Sequence, residues 1–254
     1  MNINVLTTTF YKSRSETRFH LACQLIGNTV GAGYDVLVVD GSPDPAVGQA
    51  LKKIGANVHP QKTQSMGGSR RELFRLAVNA NNGWQPGIFV WTEPEKVDIV
   101  RSIPKITAPL ECSEADIVIP SRTQGSWESY PGFQVVSEQK ANATYLEVTG
   151  KSFDPMFGPV AFSSKVAECF ALCNPTEQFG ATDGYIQHFA PLTAMKEGYK
   201  VISVPVDFYY PLVQRVEEES GFREEMLKKR EAQLSQLATG YRLAAKSLGL
   251  PACA

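Results

Sequence analysis

Histidine and cysteine are scarce in this chain, with three of one and five of the other in 254 residues. His20, His59 and His188 are widely separated, and Cys23, Cys112, Cys169, Cys173 and Cys253 contain no C-x-x-C pair, so neither a zinc-ligand spacing nor a disulfide framework is present. An odd set of thiols in a chain large enough to fold without staples reads as reduced, with Cys169 and Cys173 as core packing on a helix. Basic excess is missing too: 25 Lys and Arg stand against 26 Asp and Glu, a net charge of -1. That balance removes any global attraction to nucleic acid or an anionic membrane. No uncharged apolar run approaches the length of a bilayer span, and the first strand starts too near Met1 for a secretory leader, so a cytoplasmic location is expected. The G-x-G-x-x-G fingerprint, the P-loop and a serine in a nucleophile elbow are all absent, which disfavours dehydrogenase, kinase-like and triad-hydrolase chemistry.

What remains is globular composition, 43% hydrophobic and 20% charged, with no repeat or low-complexity segment. Apolar runs and helical periodicities alternate through the first half. Strands are expected at Ile3 to Thr9, Asp35 to Val39, around Val58, at Gly87 to Trp91 and at Ala115 to Pro120. Ser13-Arg-Ser-Glu16 and Ser69-Arg-Arg-Glu72 have capping-box spacing ahead of helices, and Asn81-Asn-Gly83 reads as a helix stop. Such alternation predicts an α/β domain with a mostly parallel sheet over residues 1–212. Thr123 to Pro159 reads as a long irregular excursion, Ala161 to Leu172 and Gly184 to Glu197 as helices, and Lys200 to Phe208 as a last strand. A helical extension over 213–254, carrying Leu234, Leu237 and Tyr241 as an apolar stripe, is expected to pack on the domain or in a homodimer.

Polar clusters follow the apolar strands, at the sheet edge where α/β proteins bind ligands. Asp40-Gly-Ser-Pro-Asp44 offers a carboxylate for a base or ribose, with Gly41 allowing close backbone approach; equally, Ser42 or Asp44 could cap the next helix. Gly67-Gly-Ser-Arg-Arg71 places Arg70 and Arg71 where a helix N-terminus already favours an anion such as a diphosphate. Glu93-Pro-Glu95 supplies hard oxygen ligands suited to Mg²⁺ or Mn²⁺, against a reading as helix cap and surface charge; Lys96 beside them could take over part of the neutralising role. Asp183 reads as a general base, an acceptor-positioning carboxylate or an N-cap, and Asp154 as an Asx turn.

In order, these segments resemble the GT-A nucleotide-sugar glycosyltransferases, particularly the family 2 and dolichyl-phosphate-mannose or mannosylglycerate synthase-like branches, over about residues 3–210. Ile3-Asn-Val-Leu-Thr-Thr-Thr-Phe10 is similar to the first strand and base-binding loop, Val39-Asp-Gly-Ser-Pro-Asp44 to the acidic second strand end, and Gly67-Gly-Ser-Arg-Arg71 to the glycine-rich helix start facing the donor. Glu93-Pro-Glu95 falls where the family has its D-x-D metal motif. Ala115-Asp-Ile-Val-Ile-Pro-Ser-Arg122, Phe153-Asp-Pro-Met-Phe-Gly158 and Gly198-Tyr-Lys-Val-Ile-Ser-Val-Pro-Val206 resemble later segments of the same branch. The resemblance implies a GT-A, Rossmann-like fold and sugar transfer from a UDP- or GDP-sugar to a small-molecule or lipid-phosphate acceptor. It further implies that Thr7, Thr8, Thr9, Asp40, Gly41, Ser42, Gly67, Gly68, Arg70 and Arg71 hold the nucleotide, Glu93 and Glu95 hold Mg²⁺ or Mn²⁺, and Asp183 faces the acceptor. Thr8 stands where the family usually has proline, Tyr11 where it often has asparagine, and E-x-E replaces D-x-D. The alternatives are a catalytically inactive nucleotide-sugar-binding protein of the same fold and a sugar-phosphate nucleotidyltransferase.

Overall fold

The computed structural model describes residues 2–80, 87–220 and 223–250; the expected helix stop at Asn81-Asn-Gly83 lies outside them. Seven strands form one sheet in the order β3-β2-β1-β4-β6-β5-β7. They are β1 (Asn2–Thr9), β2 (Asp35–Asp40), β3 (Asn57–Pro60), β4 (Gly87–Trp91), β5 (Ile117–Arg122), β6 (Val160–Ser163) and β7 (Val201–Val206). All pairings are parallel except those of β6, which runs against both β4 and β5.

Both faces of the sheet are covered, which is why its strands read as continuous apolar runs. Side chains alternate between two cores: Leu6, Phe89, Trp91, Ile117 and Ile119 on one face, and Val5, Ile88, Val90 and Val118 on the other. The first face packs against α3 (Met66–Ala80), α7 (Ala167–Ala171), α9 (Ile186–Lys196) and the long α11 (Arg223–Leu248). Leu237, Tyr241 and Ala244 of α11 are buried there, so the stripe of the tail is covered by the chain's own core. The second face carries α4 (Ile103–Glu111), while α1 (Thr17–Gly31) and α2 (Pro45–Lys53) close the β2 side. No helix among the described residues is long and apolar enough to cross a membrane.

Several local expectations need correcting. Helix α3 begins at Met66 because Ser65, not Ser69, caps it: Ser65 Oγ accepts from Gly68 N at 2.9 Å. The stretch after β5 contains α5 (Gln124–Glu128) and the 18-residue α6 (Gly132–Thr149) where an irregular excursion was expected. Its buried positions, Gln134, Glu138, Ala141, Tyr145 and Val148, recur at helical spacing, but two of them are polar and hydrophobicity alone does not register the period. Val160–Ser163 is a strand rather than a helix start; Phe162 packs into one core and Ala161 into the other. Beyond α7 come α8 (Pro175–Phe179) and, after β7, α10 (Leu212–Ser220).

Candidate active site

The C-terminal ends of β1, β2, β4, β5 and β7 share one edge of the sheet. Because β6 is reversed, its beginning reaches that edge too, with Val160 opposite Trp91. A cavity of about 790 Å³ opens here, walled by the turn after β4, the Pro155–Phe157 turn before β6, the start of α9, and α10 and α11. Of the expected site residues it takes in Arg70, Glu93 and Glu95. Thr7, Thr8, Thr9, Asp40, Gly41, Ser42, Gly67, Gly68, Arg71 and Asp183 are outside its lining.

Glu93 sits on the floor with Oε2 buried and without a hydrogen-bond partner. Gly158, at φ +103°, exists to admit it: a Cβ there would collide with the Glu93 carboxylate. Burial pushes the Glu93 pKa up, with Lys96 and Arg70 opposing the rise. Glu95 is held through Oε1, by Arg18 Nε at 2.8 Å and by the Tyr11 hydroxyl at 3.4 Å. Arg70 reaches into the floor, donating to Gly184 O and, at 2.9 Å, to Gln187 Oε1, with its guanidinium 4.5 Å from the Trp91 ring centre. Its Nε is buried and unpaired, and burial lowers its pKa against the pull of Glu93. The Lys96 ammonium stands 5.0 Å from the Phe157 ring centre and 5.2 Å from that of Phe208, with no ion pair among the described residues.

Of the remaining expected residues, Thr7, Thr9, Asp40, Ser42, Arg71 and Asp183 bond within the scaffold. Asp40 Oδ1 accepts from Thr9 Oγ1 at 2.8 Å, Ser42 Oγ at 2.6 Å and Ser42 N at 3.2 Å, and Ser42 Oγ in turn accepts from Tyr11 N at 2.9 Å. This ties the ends of β1 and β2 together. Thr7 Oγ1 donates to Thr92 O at 2.9 Å, and Asp44 caps α2 through Ala46 N at 2.9 Å. Arg71 grips Asp183 with both terminal nitrogens, Nη2 to Oδ2 at 3.0 Å, and that bond raises the Arg71 pKa. Asp183 therefore pins the start of α3 to the loop before α9, and the N-cap of α9 is Tyr185. Gly67 and Gly68 serve the same junction, since a Cβ on Gly67 would strike Asp183 and one on Gly68 would lie 2.7 Å from Thr63 Oγ1.

Sequence reasoning missed the cluster behind Lys96. Arg122, whose side chain is fully enclosed, donates from Nε to Asp154 Oδ2 at 2.8 Å, from Nη2 to Asp154 Oδ1 at 2.7 Å and from Nη1 to Glu138 Oε2 at 2.5 Å, under the Trp127 ring 3.5 Å away. Burial works against the Arg122 charge, but Asp154 and Glu138 outweigh it and raise the pKa. Asp154 is thus an anchor for a buried guanidinium and not an Asx turn. The only signal available was an arginine closing an apolar strand, with no mark of its partners.

No family model matches the chain, and no curated protein is similar to it in sequence. Solved structures are similar in shape. Glucosyl-3-phosphoglycerate synthase from Mycobacterium tuberculosis in complex with UDP superposes with a TM-score of 0.59 at 15% identity, covering 98% of this chain and 81% of that one. A second structure of that enzyme gives 0.58 at 15% identity with the same coverage. Its complex with Mn²⁺, UDP-glucose and glycerol 3-phosphate gives 0.57 at 14% identity, again over 98% and 81%. At such identity the likeness establishes architecture alone, a GT-A, Rossmann-like fold.

Proposed function

We propose that this protein is a glycosyltransferase that moves a sugar from a nucleoside diphosphate sugar, UDP- or GDP-linked, to a small-molecule acceptor. The observation that carries the reading is Glu93 Oε2, a buried oxygen without a partner at the strand-end cavity of a fold whose solved relatives hold UDP and Mn²⁺. Glu93 offers that oxygen and Glu95 its Oε2, the other being taken by Arg18. Two carboxylates are enough for Mg²⁺ or Mn²⁺ when substrate phosphates complete the shell, since these ions are commonly bound through one or two carboxylates plus phosphates. Among the described residues no third His, Cys, Asp or Glu joins them. The residues fit a divalent ion shared with a diphosphate, and such an ion supplies charge neutralisation for the departing diphosphate.

Arg70 and Lys96 add fixed positive charge at the same place, where a water-poor wall strengthens it. Arg70 is oriented by Gln187 and stacked on Trp91, so it needs little reorganisation when charge develops. The nucleoside would lie beside the cavity, over Thr8, Gly41 and Ser42, against Phe10, which is 64% exposed at the end of β1. Asp40 acts there by holding the shape of the platform. No general base is assigned to Asp183, because both its oxygens already accept hydrogen bonds from Arg71.

A thermal-shift series with UDP-glucose, GDP-mannose, UDP and GDP, each with and without Mn²⁺, tests the reading. A ligand at 100 times its Kd adds about 2.7 kcal/mol to the native state. A rise in Tm that needs Mn²⁺ and disappears in Glu93→Ala is expected. If no nucleoside diphosphate moves the transition at millimolar concentration, the protein is not a glycosyltransferase of this type.

A further inference from the structure

Two oxygens in the cavity are left over by the transfer chemistry. Gln134 of α6 is 6% exposed, and its Nε2 donates to Glu138 Oε1 at 2.7 Å. A carboxylate only accepts, so this bond fixes the orientation of the amide and turns Oε1 away as an acceptor. Oε1 is buried and has no donor. Glu138 is itself immobilised by Arg122 and by Arg230 of α11 at 3.6 Å, which leaves Gln134 no alternative arrangement.

Glu218 of α10 shows the same asymmetry. Its Oε1 accepts from the Tyr210 hydroxyl at 2.8 Å and from Gln214 Nε2 at 3.1 Å, while Oε2 is buried with no donor. Gln134 and Glu218 line the same cavity as Lys96, Phe208 and Tyr210. Buried acceptors left unmet carry their full desolvation penalty, so a ligand that brings donors to them gains more than the bonds alone. A phosphate or carboxylate brings none at neutral pH, and the Glu218 charge repels it. Hydroxyl groups supply what is missing.

We propose that Gln134 and Glu218 form a hydroxyl-reading acceptor subsite, and that the acceptor is a sugar or polyol whose neighbouring hydroxyls donate to Gln134 Oε1 and Glu218 Oε2. This rests on the glycosyltransferase reading and narrows it: a lipid phosphate or a bare phosphate ester does not satisfy the two oxygens.

The test uses the whole protein with saturating donor and Mn²⁺, and follows nucleoside diphosphate release with glucose, mannitol, myo-inositol, sorbitol 6-phosphate, glycerol 3-phosphate and dolichyl phosphate as acceptors. A sugar or polyol, free or phosphorylated, is expected to be the best of the series. Glu218→Ala and Gln134→Met should each raise the KM for it by about tenfold to a hundredfold, the range for a lost hydrogen bond to a buried or charged group. Glu218→Gln keeps an acceptor oxygen and should lose less. Since α10 is largely exposed, the Glu218 variants remain informative if Gln134→Met does not fold. Preference for dolichyl phosphate, which has no free hydroxyl beyond its phosphate, or an unchanged KM in the Glu218→Ala protein, overturns the subsite. If no donor shifts the Tm, the donor reading has failed instead; calorimetric titration of the same sugars and polyols into the protein alone then decides the subsite by the presence or absence of Glu218-dependent binding.

Discussion

His188 gives the protein a pH dependence that can be worked out from one side chain. It is buried at 2% exposure on α9, shares a 2.7 Å hydrogen bond between Nδ1 and the Tyr241 hydroxyl, and sits near the Arg70 charge. Burial first, and Arg70 second, push its pKa from 6.5 down to about 3. Above pH 6.5 the imidazole is neutral both folded and unfolded, and stability does not depend on it. Between 6.5 and 3 only the unfolded chain takes the proton, so stability falls as pH falls, by about 1.4 kcal/mol per unit. At pH 5, about 1.5 units into that window, the loss is about 2 kcal/mol. In His188→Gln the amide can still meet Tyr241 but does not titrate, so this component vanishes while all other groups keep theirs. Urea denaturation of both proteins at pH 7.5 and pH 5 measures it. Wild type should lose about 2 kcal/mol more than the variant over that interval; equal losses would mean that the imidazole is solvated or already charged in the folded protein.

Three further outcomes follow from the packing of charge around the site. Asp154→Ala strips Arg122 of two guanidinium bonds and one from its backbone N–H in a fully enclosed place and should cost about 3 to 5 kcal/mol in a denaturant melt; a loss under about 1 kcal/mol would show that water reaches Arg122. Asp183→Asn should lower stability by about 1 to 3 kcal/mol while transfer continues, whereas a folded protein whose kcat falls a thousandfold would return Asp183 to the chemistry. Gly158→Ala forces a side chain to φ +103° and into the Glu93 carboxylate. It should abolish the Mn²⁺-dependent part of the donor-induced Tm shift, and an unaltered shift would separate Glu93 from the metal.

The parallel half of the sheet was legible because it is buried on both faces: β4 was expected at Gly87 to Trp91 and lies there. The acidic pair after β4 was legible for a related reason, as polar residues at the end of an apolar strand, and Arg70 as a cation in the first turn of a helix. Helix α6 was not legible, since its inward face carries Gln134 and Glu138, whose burial is offset by Arg122, a partner that no periodicity reveals. Asp183 and Arg71 were both legible as charges near a ligand edge. Their pairing was not, because it joins positions 112 residues apart.

The reversal of β6 has a consequence for how this cavity can change over generations. Parallel strands offer only the segments that follow them at the ligand edge, but β6 also presents the segment that precedes it. Lys151 and Ser152 on that segment are exposed and lie beyond the left-handed Gly150 that ends α6. Residues inserted there would lengthen an exposed turn and leave the sheet in place. One residue lost between Gly158 and Val160 would instead slide the strand and carry Phe162 out of its core to the opposite face. Within a few positions, the chain thus juxtaposes a stretch that accepts added residues with one that tolerates no change in length.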